Sequence, residues 1–345
     1  MARANEVLSP QAGKSITTDH AVVAGSGPPS AGGSSSPPGG NQLSWWARAR
    51  RDKILLLMAL PGLVLMLAFH YLPLFGNLIA FQEYLPFVPL GRSAWVGWDN
   101  FAVIFNGDAE FLNALKNTLL ITLVQVVFVF PAPIALALLL NSLLSERIKR
   151  IVQSVLYLPH FLSWVIVIAI FQQILGGSGL INNVLRSHGI DTIDFLGNPD
   201  SFITLLTSQV IWKDSGWGTI LFLAALTQID PGLYEAARVD GASRWRQLWH
   251  VTVPGIRGLI ILLLILRLGD SLTVGFEQII LQQNLVGRPA SEVLDTYVYN
   301  NGVLAGQWGV SAAVGLVKGL FGVALVIGAN KVAHIFGEAG VYQKP

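Results

Sequence analysis

Five charged side chains interrupt otherwise apolar runs: Lys213 and Asp214 in one, Arg267, Asp270 and Glu277 in another. A charge at the centre of a bilayer costs about 2.5–3.5 kcal/mol on insertion scales, so each is expected to face protein or a wet cavity. Arg267 and Asp270 stand at i, i+3 and Glu277 two turns beyond Asp270, so on one continuous helix all three share a face. Two chemistries fit these residues. One is structural: neutralised pairs, Arg267–Asp270 above all, that lock helices together. The other is a hydrophilic path of hydroxyl, amide and carboxylate groups for a polyhydroxylated solute. Lys213 and Asp214 suit either, whereas Glu277 and Gln278 lean to the path because no basic residue sits at helical spacing beside them. Trp217, one turn from Lys213, and Phe276 either stack on sugar rings or are ordinary core.

Catalytic chemistry finds little footing. Gly13-Lys14-Ser15 resembles the end of a phosphate-binding loop, but Leu8 stands where the leading glycine belongs and no strand precedes it. The six histidines are scattered, at 20, 70, 160, 188, 250 and 334. The chain has no cysteine, which excludes disulfides and thiolate metal sites. An intramembrane enzyme using Asp214 with His160 or Asp270 would need paired groups at fixed geometry. A secondary transporter would show inverted repeats between its halves, and no clear repeat is visible.

The elements that must position these residues are membrane spans. Of 345 residues 52% are hydrophobic and only 12% charged, with a mean hydropathy of +0.56. Soluble domains are nearer about a quarter charged, so this is the composition of a polytopic membrane protein. A net charge of +2 gives no reason to expect a nucleic acid partner. Residues 1–44, rich in Gly, Ser, Pro and Ala, read as a disordered cytoplasmic tail. Trp45 to Lys53 is an aromatic and basic belt abutting the first apolar run, which is long and lacks a small-x-small cleavage site, so a retained span is expected rather than a signal peptide. Six spans are expected at about 54–72, 117–140, 153–175, 202–226, 256–281 and 309–335, each long enough for a hydrocarbon core about 30 Å thick. Pro131 and Pro133 are expected to kink the second.

Basic residues orient the chain. Arg48, Arg50, Arg51 and Lys53, then Arg147, Lys149 and Arg150, then Arg238, Arg244 and Arg246, and finally Lys331 fall on one side. Only Arg92, Lys116, Arg186 and Arg288 fall on the other. That asymmetry predicts both termini inside. The outer segments 73–111, 176–200 and 282–308 carry Trp95, Trp98, Tyr297, Tyr299 and Trp308, expected as interface belts or as small caps facing a partner. Gly315 and Gly319 form a small-xxx-small pair that predicts close helix packing.

Between the fourth and fifth runs lies a polar island. Glu235, Ala236 and Ala237 favour a helix begun by Pro231. Gly241 permits a sharp change of direction after Asp240. Trp245, Leu248 and Trp249 then give a second helix an apolar edge, with Pro254 beginning the next run. The bare pattern suits an interfacial helix or a surface offered to another protein.

Glu-Ala-Ala, three residues, Gly, nine residues and a Val-x-Val-Pro close resemble the EAA loop of ABC importer permeases, with Val251 and Val253 in place of the usual Ile and Leu. The segments 157–164, 195–199, 211–218 and 275–279 resemble the carbohydrate importers of the maltose type, nearest the branch that takes up oligosaccharides, including aldouronate- and alginate-type systems. The resemblance covers about residues 54–340. It implies an all-α type I importer permease over residues 45–340, with six transmembrane helices and a cytoplasmic coupling loop. Its partners would be a second related permease, two ATPase subunits that bind ATP and Mg, and an extracytoplasmic solute-binding protein. No cofactor is expected in this chain. Transport would be by alternating access, with Glu235, Ala236, Ala237, Asp240, Gly241 and Pro254 gripped by the ATPase. A permease for another small solute is the alternative, since amino-acid, phosphate and metal importers share the loop.

Overall fold

The computed structural model describes residues 52–143, 145–335, 337 and 340. The tail 1–44 and the belt residues Trp45 to Arg51 lie outside them. Contacts divide the chain at Val64/Leu65 into two compact units. In the first, the described residues are the opening turns of helix α1 (Lys53–Phe81), which starts with Leu56 N–H donating to Asp52 O.

Among the described residues of the second unit the regular structure is helical apart from one two-residue ladder, β1 (Gln82–Glu83) against β2 (Ala94–Trp95). Its principal helices are α2 (Ala109–Asn141), α3 (Glu146–Tyr157), α4 (Trp164–Leu175), α5 (Leu180–Ser187) and α6 (Pro199–Leu226). There follow α7 (Pro231–Val239), α8 (Arg244–Gly255), α9 (Arg257–Gly269), α10 (Phe276–Ile280), α11 (Leu294–Val298) and α12 (Trp308–Ile335). Among the described residues, Lys53–Phe81, Ala109–Asn141, Trp164–Ser187 and Trp308–Ile335 are long and apolar enough to cross a membrane, with α8 and α9 a fifth if that bent pair is one span. α6 matches them at 28 residues but carries Lys213 and Asp214.

Prolines follow three of the four wide turns described, the fourth being Tyr299–Leu304. The ladder widens to i→i+5 at Leu67–Tyr71, Gln125–Val129 and Leu248–Thr252, ahead of Pro73, Pro131 and Pro254. A proline has no N–H and its ring crowds the carbonyl four residues back, so the helix takes a wider turn rather than ending. Pro131 and Pro133 thus sit inside one continuous helix.

Two expected spans are broken. The run 153–175 starts within α3, passes through a 3₁₀ turn at Leu158–Phe161, and resumes only at Trp164, where the Ser163 side chain caps α4 by accepting from Ile166 N. The run 256–281 stops at Gly269, and Gly275 at φ +88° starts α10. Glu277 is therefore not on one continuous helix face with Arg267 and Asp270. A left-handed residue ends helical periodicity wherever it occurs.

α6 contributes more buried residues than any other helix described. Its N-terminus is capped by Asn198, which accepts from Asp200 N at 3.0 Å, with Pro199 at the first helical position. Phe222, Leu223 and Leu226 pack with Ala137 and Leu140 of α2 and with Ile256. Phe202 and Leu206 pack with Ile121, Val274, Ile279 and Val293. α6 also approaches its neighbours through glycines. A Cβ on Gly216 would overlap the Leu156 carbonyl, and one on Gly218 would lie 3.1 Å from Pro133 Cβ.

The outer aromatics are partly core. Tyr297 is buried edge-on to Phe111 at 6.0 Å, and burial, with Asp108, Glu110 and Glu292 adding repulsion, pushes its phenol up to about 12. Trp95 and Trp98 stay exposed but close a small cap over Phe81 and Phe101. Gly315 and Gly319 have nothing within 4 Å and face open space in this chain. The close crossing of α9 and α12 falls at Gly269 and Gly322 instead, where a Cβ on Gly322 would lie 3.1 Å from Gly269 O.

Candidate functional site

The polar island folds as a capped elbow. Asp230 caps α7 by accepting from Gly232 N at 2.8 Å. Glu235, Ala236 and Ala237 occupy its middle, and the chain reverses at Gly241, φ +70°. There Ala242 N–H donates to Ala237 O at 2.8 Å and Gly241 N–H to Arg238 O at 3.1 Å. That pair of bonds is a Schellman closure, which needs a left-handed residue at this position. Ser243 then caps α8 by accepting from Arg246 N.

Two contacts hold the arms together. Tyr234 Oη lies 3.1 Å from Thr252 Oγ1, and Gln247 Nε2 donates to Ala242 O at 2.9 Å. The outer surface is left uncovered: Val239 is 89% exposed, Trp245 and Trp249 meet edge-on at 5.9 Å, and Glu235, Asp240 and Gly241 are exposed. Pro254 is also exposed, in the last turn of α8 rather than at the start of the next run. α9 leaves α8 at 60° across Ile256, which is buried. A Cβ on Gly255 would meet Ile229 Cδ1 at 2.8 Å, so glycine lets the bend lie against the end of α6.

The candidate path residues divide by what their polar atoms touch. Lys213 is 7% exposed, and its ammonium donates to His160 O at 2.6 Å and Leu162 O at 2.8 Å, satisfying carbonyls freed by the break between α3 and α4. Gln278 is fully buried. Its Nε2 donates to Gln209 Oε1 at 2.7 Å and Leu206 O at 3.1 Å, and Gln209 Nε2 donates to Gln282 Oε1 at 3.0 Å. Arg267 donates to Gln125 Oε1, with Asp270 and Asp214 the carboxylates acting on it electrostatically. Asp270, Glu277 and Trp217 are exposed, and Phe276 is half-buried, edge-on to Tyr299 at 5.4 Å. Asp270 and Thr273 line a groove of about 920 Å³ beside α12, along with Lys318, which is ion-paired to Asp295. Gln209, Lys318 and Asp295 emerge only in the fold, while the sequence offered His160 beside Asp214 only as a pair for an enzyme. Pro159 beside His160 signalled a helix interruption, while Gln209, Lys318 and Asp295 find their partners across longer sequence separations.

Residues 129–337 match the family described as binding-protein-dependent transport system inner membrane component. The chain is 45% identical over 300 residues to protein LplB of Bacillus subtilis (strain 168), covering 87% of this chain and 94% of that one. It is 46% identical over 293 residues to the polygalacturonan/rhamnogalacturonan transport system permease protein YteP of the same organism, covering 85% and 91%. A chain in the crystal structure of a bacterial alginate ABC transporter, in complex with alginate pentasaccharide-bound periplasmic protein, superposes with a TM-score of 0.79 at 36% identity. That match covers 86% of this chain and 99% of that one. This chain therefore belongs to the inner membrane components of binding-protein-dependent transport systems, and is a membrane permease of an ABC importer rather than an enzyme.

Proposed function

We propose that this permease carries oligosaccharides inward by alternating access, paired with a second related permease and driven through residues 234–254 by separate ATPase subunits that bind ATP and Mg. The observation that carries the coupling reading is the elbow itself: a doubly capped, internally clamped turn whose apolar tip and charged flank are left uncovered. An exposed surface that rigid commonly serves a partner, because little ordering entropy remains to be lost on docking. Glu235 supplies a polar contact, and Gly241 the reversal that shapes the tip. The basic residues Arg238, Arg244 and Arg246 support a cytoplasmic location for the elbow, and with it a cytoplasmic N-terminus.

Carbohydrate as the cargo is supported by the relatives, two of which are named or titled for acidic polysaccharides. An extracytoplasmic binding protein would deliver it. We assign the solute path to the accessible groups Asp214, Trp217, Asp270, Phe276 and Glu277, and leave Lys213 and Gln278 to holding helices. The test uses the absence of cysteine from this chain. A Val239→Cys variant, in the assembled transporter, is expected to cross-link to the ATPase subunit, with ATP driving oligosaccharide uptake into proteoliposomes. Labelling of that thiol by an impermeant reagent from the external face would sink the reading.

A further inference from the structure

We propose that His160, Asp214 and Trp217 form a sugar-ring platform that reads hydroxyl groups, not carboxylates, with His160 as a solute-contacting residue. The inference rests on the carbohydrate reading above. His160 lies in the break between α3 and α4, opposite the middle of α6. Its Nδ1 is 2.9 Å from Asp214 Oδ1. An ionised carboxylate only accepts, so Nδ1 carries a proton, and in the tautomer with that single proton Nε2 keeps a lone pair. Nε2 has no partner among the described residues. The imidazole stacks on the Trp217 indole at 4.6 Å and 4°, and Phe161 stands edge-on to both rings.

This cluster is not sealed. The His160 and Asp214 side chains are 32% and 40% exposed, and Trp217 is 46% exposed. A carboxylate at mid-membrane depth does not face lipid, so the exposed side belongs to a wet cavity or a protein neighbour. Aromatic faces beside two hydrogen-bond acceptors match a pyranose, which offers C–H faces and hydroxyl donors.

The charges nearby decide between neutral and acidic rings. Each basic side chain at this depth is engaged: Lys213 on two carbonyls, Arg267 on Gln125, and Lys318 on Asp295. Asp270 and Glu277 are exposed, and Asp214 is half-buried, as are Arg267 and Lys318. A uronate carboxylate at this platform would meet these carboxylates, while Lys213 and Arg267 spend their N–H donors on neutral acceptors, so a direct ion pair for an acidic sugar is left to another subunit.

The test is ATP-driven uptake by the full transporter in proteoliposomes with saturating binding protein, using α-1,4-trigalacturonate and its carboxyl-reduced neutral counterpart. His160→Asn keeps a donor toward Asp214 but removes the ring and the Nε2 acceptor. His160→Phe keeps the stacked ring and removes both nitrogens. Both variants are expected to raise KM for the neutral trisaccharide about five- to tenfold, the size of one hydrogen bond, while KM for trigalacturonate moves less than about twofold and ATP hydrolysis is unchanged. Should His160→Phe fail to assemble, His160→Asn decides alone. An unchanged neutral KM, an acidic KM raised as much as the neutral one, or wild-type uptake of trigalacturonate only would each overturn the proposal. Wild-type uptake of neither probe would instead remove the carbohydrate reading beneath it, and the proposal with it.

Discussion

Replacing Gly216 by alanine puts a methyl group where the α3 backbone already runs. The new Cβ would stand 2.5 Å from the Leu156 carbonyl carbon and 3.2 Å from Leu156 Cβ. Non-bonded carbons are most stable roughly 3.5–4 Å apart, so α3 and α6 must separate by about 1 Å. The obstacle is main chain, and no rotamer change relieves it. A separation of that size carries the Lys213 bonds, now 2.6 and 2.8 Å, past the hydrogen-bonding limit of about 3.5 Å. Overpacking costs about 1–3 kcal/mol and each of the two weakened charge-assisted bonds about 1.5–3, so a loss of roughly 4–9 kcal/mol is expected. The assay is thermal unfolding of the detergent-solubilised chain, with Gly328→Ala as the matched control because a Cβ there meets nothing within 4 Å. Gly216→Ala should lower Tm by roughly 5–15 °C and the control should not. If the two variants unfold within about one degree of each other, the close approach of these helices is not real.

At Gly241 the space is open and only the backbone objects. Gly241→Val forces a β-branched residue to φ +70°, at a cost of about 1–3 kcal/mol. It should abolish uptake while leaving membrane insertion intact, and normal import by this variant would refute the coupling role. Glu277 has no ion-pair partner among the described residues. Glu277→Gln, nearly isosteric, should therefore leave assembly and ATPase stimulation intact but cut uptake about tenfold at limiting solute, the scale of one charged hydrogen bond. Uptake unchanged from wild type at both limiting and saturating solute would remove Glu277 from the path.

Local signals in the sequence carried further than long-range ones. The elbow was legible almost residue by residue, because its determinants are local: Pro231 to start, Gly241 to turn, and Trp245 with Trp249 on one edge of the second arm. The long apolar runs likewise marked α1, α2, α6 and α12. The break at 158–163 was harder, since apolar composition continues straight through Leu158-Pro159-His160-Phe161-Leu162. Its clue was Pro159 followed by a serine able to cap. The break at 270–275 was masked in the same way by Leu272 and Val274, which are buried. The partners of Lys213 and Gln278 were not readable at all. Lys213 meets carbonyls more than fifty positions away, and Gln278 meets Gln209 across 69. Gly315 and Gly319 show the limit of a motif, because small-xxx-small spacing says a helix can be approached closely but not by which neighbour.

The 60° corner at Ile256 joins the elbow to a 13-residue rod bearing Arg267 near its far end. At about 1.5 Å per residue that rod is about 20 Å long, so a ten-degree swing about the corner sweeps its tip through roughly 3.5 Å. Buried against α6 and notched by Gly255, the corner has little room to translate, which leaves rotation as its cheapest response to a push. A small nudge on the exposed knuckle would thereby be geared up into a displacement, at the Arg267 end of α9, about as large as a water molecule.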